Sequence, residues 1–320
     1  MRSGLAVILA VALAAAALGG VAFRLGGSSS PRPPTAHASL APNQASYLGV
    51  FSPGVPASYG GIASFAQAAG RQPNLAEYYS GWAEPFDTSF AEMLRKHHII
   101  PFVQIDPTDA TISAIAKGTY DDYLRSYADS VQDFGTNVVI GFGHEMNAPW
   151  YSWGYEHVPA STFVAAWRHI VTLFRDEGAE NVTWLWTLQA DAPGTGSVAS
   201  WWPGTQYVTW VGIDGFYYRP TDTFKSVFGR TIDQVRTFTS EPILLSETAV
   251  GPDTGNVYAK IQDLFQGLVE DGLLGLVWFD KDQHAGMYHQ DWRIEDNGQA
   301  QASFSLGASD ELAATLPTGQ

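Results

Sequence analysis

Asn137-Val138-Val139-Ile140-Gly141-Phe142-Gly143-His144-Glu145-Met146-Asn147-Ala148-Pro149-Trp150-Tyr151-Ser152-Trp153-Gly154 is an apolar β-rich run that ends abruptly in an acid set among aromatic rings. Pro242-Ile243-Leu244-Leu245-Ser246-Glu247 repeats that arrangement about a hundred residues later. Runs of this kind recur along the chain. Tyr47–Phe51, Leu75–Tyr79, Ile99–Ile105, Asn137–Phe142, Asn181–Thr187, Val208–Ile213, Pro242–Ser246 and Leu274–Phe279 read as eight strands. Helical patterns lie between them. Phe163, Trp167, Ile170 and Phe174 fall at spacings of four, three and four, and Ile261, Leu264, Phe265 and Leu268 mark a second apolar face. Gly178 and Gly272 follow these two stretches as helix stops. Strand–helix alternation argues for a parallel sheet, and eight such units for an α/β fold of the (β/α)8 TIM-barrel type with one catalytic domain. The length of 320 residues suits that fold with generous loops.

Active sites of such barrels lie at the C-terminal ends of the strands. Glu145 is expected just past the fourth strand and Glu247 just past the seventh, both on one barrel face. Asp106, Gln189, Asp214 and Asp280 are further polar strand ends. Two carboxyl groups facing each other there can run glycoside hydrolysis, one protonating the leaving oxygen and the other attacking the anomeric carbon or activating water. A zinc reading of His144-Glu145 fails, because the second histidine of His-Glu-x-x-His would fall on Ala148.

Composition narrows the partners. Hydrophobic residues make up 45% and charged ones 15%, which is globular, and 11 Trp with 14 Tyr supply stacking surfaces for sugar rings as well as core. A net charge of −15 argues against nucleic acid. Residues 1–38 read as a signal peptide or signal anchor with a Gly/Ser/Pro-rich linker, since Gly4–Phe23 is nearly unbroken Leu/Ala/Val between Arg2 and Arg24. The expected location is secreted, or anchored to the outer face of the cytoplasmic membrane, with membrane contact only through that segment. Residues 39–46 read as a short linker and 47–320 as the barrel, closed by a last helix over Ser309–Leu316. There is no cysteine, so no disulfide supports the fold. Asn181-Val182-Thr183 fits a glycosylation pattern but sits on an expected strand.

On the strength of the two acidic motifs the chain resembles glycoside hydrolase family 26, a retaining clan A family known chiefly for β-mannanases, over roughly Tyr47 to Glu295. The resemblance implies a (β/α)8 barrel and a polysaccharide substrate; hydrolysis needs no cofactor, and a monomer is the default expectation for a polymer hydrolase. The family's His-Glu-Met-Asn-Gly-x-Trp-Tyr-Pro-Trp motif carries the acid/base to Glu145, and its Glu-Thr-Gly-like element carries the nucleophile to Glu247. It further implies substrate-binding roles for His144, Trp150, Trp153 and Trp278, the last as the platform under the reactive sugar. Asp291-Trp292-Arg293 also matches and reads as structural. The family's tyrosine after the sixth-strand aspartate is replaced by Phe216, which leaves Tyr217 as the expected hydroxyl for Glu247. Ala148, Ser152 and Gln189 depart from the family pattern too. The expected activity is an exported retaining endo-β-glycosidase on β-1,4-mannan or a related mannan, with β-glucan or xylan hydrolysis, or glycan binding without catalysis, as alternatives.

Overall fold

A computed structural model describes residues 39–190, 197–283 and 290–310. All eight expected strands form, and each pairs in parallel with its sequence neighbour until β8 closes on β1. They are β1 (Tyr47–Phe51), β2 (Leu75–Gly81), β3 (Ile100–Asp106), β4 (Val138–Phe142), β5 (Val182–Gln189), β6 (Trp210–Tyr217), β7 (Ile243–Val250) and β8 (Gly275–Phe279). The helices are α1 (Gly60–Ala69), α2 (Thr88–Lys96), α3 (Ile112–Ala116), α4 (Asp121–Phe134), α5 (Ala160–Asp176), α6 (Arg230–Arg236), α7 (Val257–Glu270) and α8 (Gly298–Asp310). The two apolar faces read from the sequence belong to α5 and α7 and are buried throughout. Gly178 and Gly272 follow these helices at φ 83° and 66°, a left-handed turn that glycine enters without steric cost.

Within each strand, alternate side chains face the barrel axis. At the N-terminal end the inward set is apolar: Leu75, Phe102, Val139, Leu185, Trp210, Leu244 and Val277 form one buried column. The outward set packs against the helices in a second, larger core. Toward the C-terminal ends the inward set turns polar, with Glu77, Gln104 and Thr187 above the apolar column. This gradient places a filled plug at one mouth and chemistry at the other.

Three boundaries differ from expectation. Residues 39–46 are not a spacer: Leu40 joins the interior column, and the Ala45 and Ser46 amides donate to the Leu273 and Leu274 carbonyls at 2.8 Å each. The last helix begins at Gly298 rather than Ser309, and the rest of the expected Ser309–Leu316 helix lies outside the described residues, as does the N-terminal segment 1–38. Glu247 lies inside β7, which continues to Val250. Asn181 is buried, and its amide donates to the Val131 and Thr136 carbonyls at 2.8 Å, so its role is structural.

Candidate active site

A cleft of about 640 Å³ opens at the C-terminal end of the barrel, lined among others by Phe51, Tyr79, His144, Glu145, Trp150 and Glu247. The two predicted carboxylates therefore share one cavity. They reach it by different backbone devices.

Glu145 lies three residues beyond β4, at φ 52°. A non-glycine residue in that left-handed region costs roughly 1–3 kcal/mol and persists where its surroundings hold it. Here its amide donates to Thr187 O at 3.0 Å, and Ala148 N donates to Glu145 O at 2.9 Å. Asn147 and Gln189 clamp the turn reciprocally: Asn147 Nδ2 donates to Gln189 O, and Gln189 N to Asn147 Oδ1, at 2.9 Å each.

Glu247 depends on an irregularity in β7. Gly212 of β6 pairs with Leu244, but Asp214 pairs with Glu247, so two residues on β6 face three on β7. The same offset appears against β8, where Leu245 and Thr248 pair with Leu276 and Trp278. This β-bulge reverses the alternation. Leu244 faces the axis and Leu245 the helices, so an uninterrupted strand would turn Glu247 outward with Leu245; the bulge turns it into the cleft.

The partners of the two acids differ. Trp150 Nε1 donates to Glu145 Oε2 at 2.7 Å. Tyr79, on β2, donates its hydroxyl to Glu247 Oε2. His144 donates from Nδ1 to Asp106 Oδ1 at 2.9 Å and lies 3.0 Å from the Tyr151 hydroxyl through Nε2. Burial disfavours an imidazolium there, but the bond to Asp106 and the charges of Asp106, Glu145 and Glu247 outweigh it and raise the His144 pKa. Desolvation pushes Glu145 up to about 7, opposed by His144 and the Trp150 bond and reinforced by the charge of Glu247. Desolvation also raises Glu247, while the Tyr79 bond, His144 and Lys281 pull it back down. Asp214, fully buried, is held well above the usual carboxylate range by burial and then by Glu247, Glu145 and Glu77, and it accepts from Ser246 Oγ at 2.5 Å. The result is one carboxyl poised to hold a proton near neutrality and a second, also raised by burial, whose rise is opposed by its tyrosine bond and by His144 and Lys281. That division suits acid and nucleophile.

Three predicted contacts fall elsewhere. Tyr217 faces outward from β6, fully buried, and donates to Asp263 Oδ2 on α7 at 3.0 Å; it does not reach Glu247. Trp278 also points away from the axis, packing edge-on against Phe304 of α8 with centroids 5.0 Å apart and donating from Nε1 to Trp292 O at 2.9 Å. Its neighbour Phe279 lines the cleft instead. Trp153 is buried behind the wall, stacked on Tyr151 at 4.3 Å and bonded through Nε1 to His144 O at 2.9 Å, so it supports the site without lining it. Trp150 does line the cleft and is 42% exposed. Asp106, expected as a polar strand end, lines the cleft, and Tyr79, Tyr151, Phe51 and Phe279 join it without having been expected there. Strand alternation was the available signal: Tyr79 shares inward parity with Leu75, and Phe279 with Val277.

Residues 110–247 match the model of glycosyl hydrolase family 26. Over 273 residues the chain is 27% identical to endoglucanase H of Acetivibrio thermocellus, covering 80% of this chain and 30% of that protein. It is 26% identical over 167 residues to mannan endo-1,4-β-mannosidase A and B of Caldalkalibacillus mannanilyticus, covering 50% and 31%. The chain thus spans under a third of the length of these curated relatives. Among solved structures, a Bacillus subtilis mannanase superposes with a TM-score of 0.59 at 19% identity over 79% of this chain and 87% of that one, a likeness of fold.

Proposed function

The chain belongs to glycosyl hydrolase family 26, and on that footing we propose that it is an exported, retaining endo-β-glycosidase acting on β-1,4-mannan or a related mannan. The observation that carries the reading is the unlike pair in one cleft: Glu145 raised to about 7 beside Trp150, and Glu247 gripped by Tyr79. Glu145 gives its proton to the glycosidic oxygen while Glu247 attacks the anomeric carbon, forming a glycosyl ester. Once Glu247 is esterified its charge is gone, the pKa of Glu145 falls, and the same carboxylate draws a proton from the incoming water. Trp150 stabilises the Glu145 carboxylate that each proton donation creates. Tyr79 holds Glu247 ionised and aimed. Phe51 and Phe279, stacked at 5.0 Å, offer the apolar faces on which a sugar ring can sit in place of Trp278.

A second reading is a β-glucan as the polymer. It is favoured by the relative that pairs with 80% of this chain being an endoglucanase, and by the outward-facing Trp278 and by Phe216 standing at the family's tyrosine position on β6, which remove two family features at the reactive sugar. The test is product analysis on defined mannan, β-glucan and xylan oligosaccharides, with the anomer followed by NMR. Release of the β-anomer first, abolished in Glu247→Ala, is expected. Release of the α-anomer, or turnover unchanged in Glu247→Ala, refutes the double displacement.

A further inference from the structure

Tyr151 lines the cleft, yet the mechanism above gives its hydroxyl no task. The position of its ring is well fixed. It lies flat on Trp153, with centroids 4.3 Å apart and planes 8° from parallel, and Trp153 is held in turn by the bond from its Nε1 to the His144 carbonyl at 2.9 Å. The Tyr151 hydroxyl stands 3.0 Å from His144 Nε2 and has no other hydrogen-bond partner among the described residues. His144 is buried, and its second ring nitrogen, Nδ1, is taken by Asp106 Oδ1 at 2.9 Å. Protein groups therefore occupy both imidazole nitrogens, and a sugar hydroxyl would bond His144 only by displacing Asp106 or Tyr151. The phenol, by contrast, keeps a bond to make toward the cleft.

We propose that Tyr151 is a substrate-binding residue whose hydroxyl donates to a sugar oxygen, and that Asp106 and His144 are positioning residues that turn its proton toward the cleft. The direction follows from what each atom can do. A neutral imidazole bonded to Asp106 through Nδ1–H carries a lone pair on Nε2, and that lone pair would take the phenol proton. An imidazolium donates from both nitrogens, so Tyr151 Oη accepts from Nε2 and its own proton is left for a ligand. The groups that face His144 are Asp106 of β3, Glu145 beside it, Glu247 of β7, and the phenols of Tyr79 on β2 and Tyr151 on its own loop. Burial opposes the imidazolium, and the Asp106 bond with the charges of Asp106, Glu145 and Glu247 sustains it. The row Asp106, His144, Tyr151 thus presents a donor to the glycan, the contact that the resemblance implied for His144 itself.

The sugar contact rests on the proposed glycosidase reading, and it is tested by binding as well as by turnover. Tyr151→Phe keeps the ring on Trp153 and should weaken binding of defined manno- or gluco-oligosaccharides about 3- to 10-fold, the worth of one hydrogen bond. Calorimetry at about pH 6 in a Glu145→Gln background, which mimics the protonated acid, measures this. In the otherwise wild-type enzyme KM should rise likewise, with kcat and both limbs of the pH profile little changed. Asp106→Asn still accepts from Nδ1–H but removes the charge that sustains the imidazolium, so burial prevails. Its affinity should fall to the same degree, and Tyr151→Phe added to it should bring no further loss. Its alkaline limb should move up, because Glu145 loses the His144 charge, whose pull on its pKa exceeds the push of Asp106. Nitrogen NMR at the same pH should show His144 protonated on both nitrogens in wild type and on one in Asp106→Asn. Unchanged affinity in Tyr151→Phe overturns the sugar contact; losses that add in the double variant, or a neutral wild-type His144, overturn the positioning. If Asp106→Asn fails to fold, the Tyr151→Phe affinity and the wild-type spectrum still decide. If the protein binds oligosaccharide without hydrolysing it, the glycosidase reading fails while affinity still upholds or refutes the Tyr151 contact; if it binds none, the contact falls as well.

Discussion

Replacing Tyr79 by Phe removes one oxygen and leaves the ring against Phe51 and His144, whose centroids lie 5.3 and 5.4 Å away. What is lost is the hydroxyl donated to Glu247 Oε2. A hydrogen bond to an ionised group contributes about 1.5–3 kcal/mol. If that difference falls between the two protonation states, the pKa of Glu247 rises by about 1–2 units, at about 1.4 kcal/mol each. The sign follows from the role. Glu247 attacks as the carboxylate, so activity is present above its pKa and lost as pH falls through it, and the acid limb of the profile moves up. Because the alkaline limb is set by Glu145 near 7, the bell narrows and its peak falls as well. Loss of aim adds to loss of charge, and kcat should fall about 10- to 100-fold with KM changed much less. The assay is kcat against pH on an aryl β-glycoside and on the preferred polymer. Tyr217→Phe is the matched control: its hydroxyl bonds Asp263, which also accepts from Phe224 N at 2.7 Å, so it should lower stability by about 1–2 kcal/mol and leave the profile alone. A Tyr79→Phe enzyme within twofold of wild type with its acid limb unmoved, or a Tyr217→Phe enzyme showing the defect instead, refutes the assignment.

Glu145→Gln cannot donate a proton and should lose about 10²- to 10⁴-fold on polymer, but far less on an aryl glycoside whose leaving group departs unprotonated; equal losses on both would remove Glu145 from the acid role. In Glu247→Gly, azide should restore turnover and yield the inverted glycosyl azide, and a product of retained configuration would exclude direct attack in the vacated space. Trp150→Phe deletes the 2.7 Å bond that favours ionised Glu145. Its alkaline limb should therefore move to higher pH while kcat falls, and a shift to lower pH would contradict the assigned role of the indole. Trp278→Phe strands the Trp292 carbonyl and opens space beside Phe304, so differential scanning should show a loss of about 2 kcal/mol with KM for the glycan unaltered. A selective rise in KM would return Trp278 to the sugar.

The barrel itself was legible because its signals are local. Each strand is an apolar run of a few residues, α5 and α7 carry clear apolar faces, and left-handed glycines stop them. The cleft chemistry was legible where sequence neighbours build it: His144, Glu145 and Trp150 lie within one seven-residue stretch and meet in one cleft. Contacts made across the barrel were not. Tyr79 and Glu247 are 168 positions apart, and no local pattern in β2 announces a carboxylate partner. Leu40 was hidden for a related reason, since a lone leucine in a polar stretch carries no periodicity, and only the closed barrel gives it an interior to enter.

The misplaced aromatics have a common cause in strand parity. Trp210, Gly212, Asp214 and Phe216 share one face of β6, so Tyr217 must leave by the other; Val277 and Phe279 share one face of β8, so Trp278 does the same. Applied without exception, that rule would also send Glu247 outward with Leu245. It enters the cleft because β7 carries one residue more than β6 opposite it, and the extra residue lets Ser246 and Glu247 both serve the interior, one binding Asp214 and the other Tyr79. A bulge of this kind leaves no composition signal in Leu244-Leu245-Ser246-Glu247, yet it separates an acid buried against the helices from one that lines the cleft. The motif places an acid near the seventh strand's end; the register shift aims it.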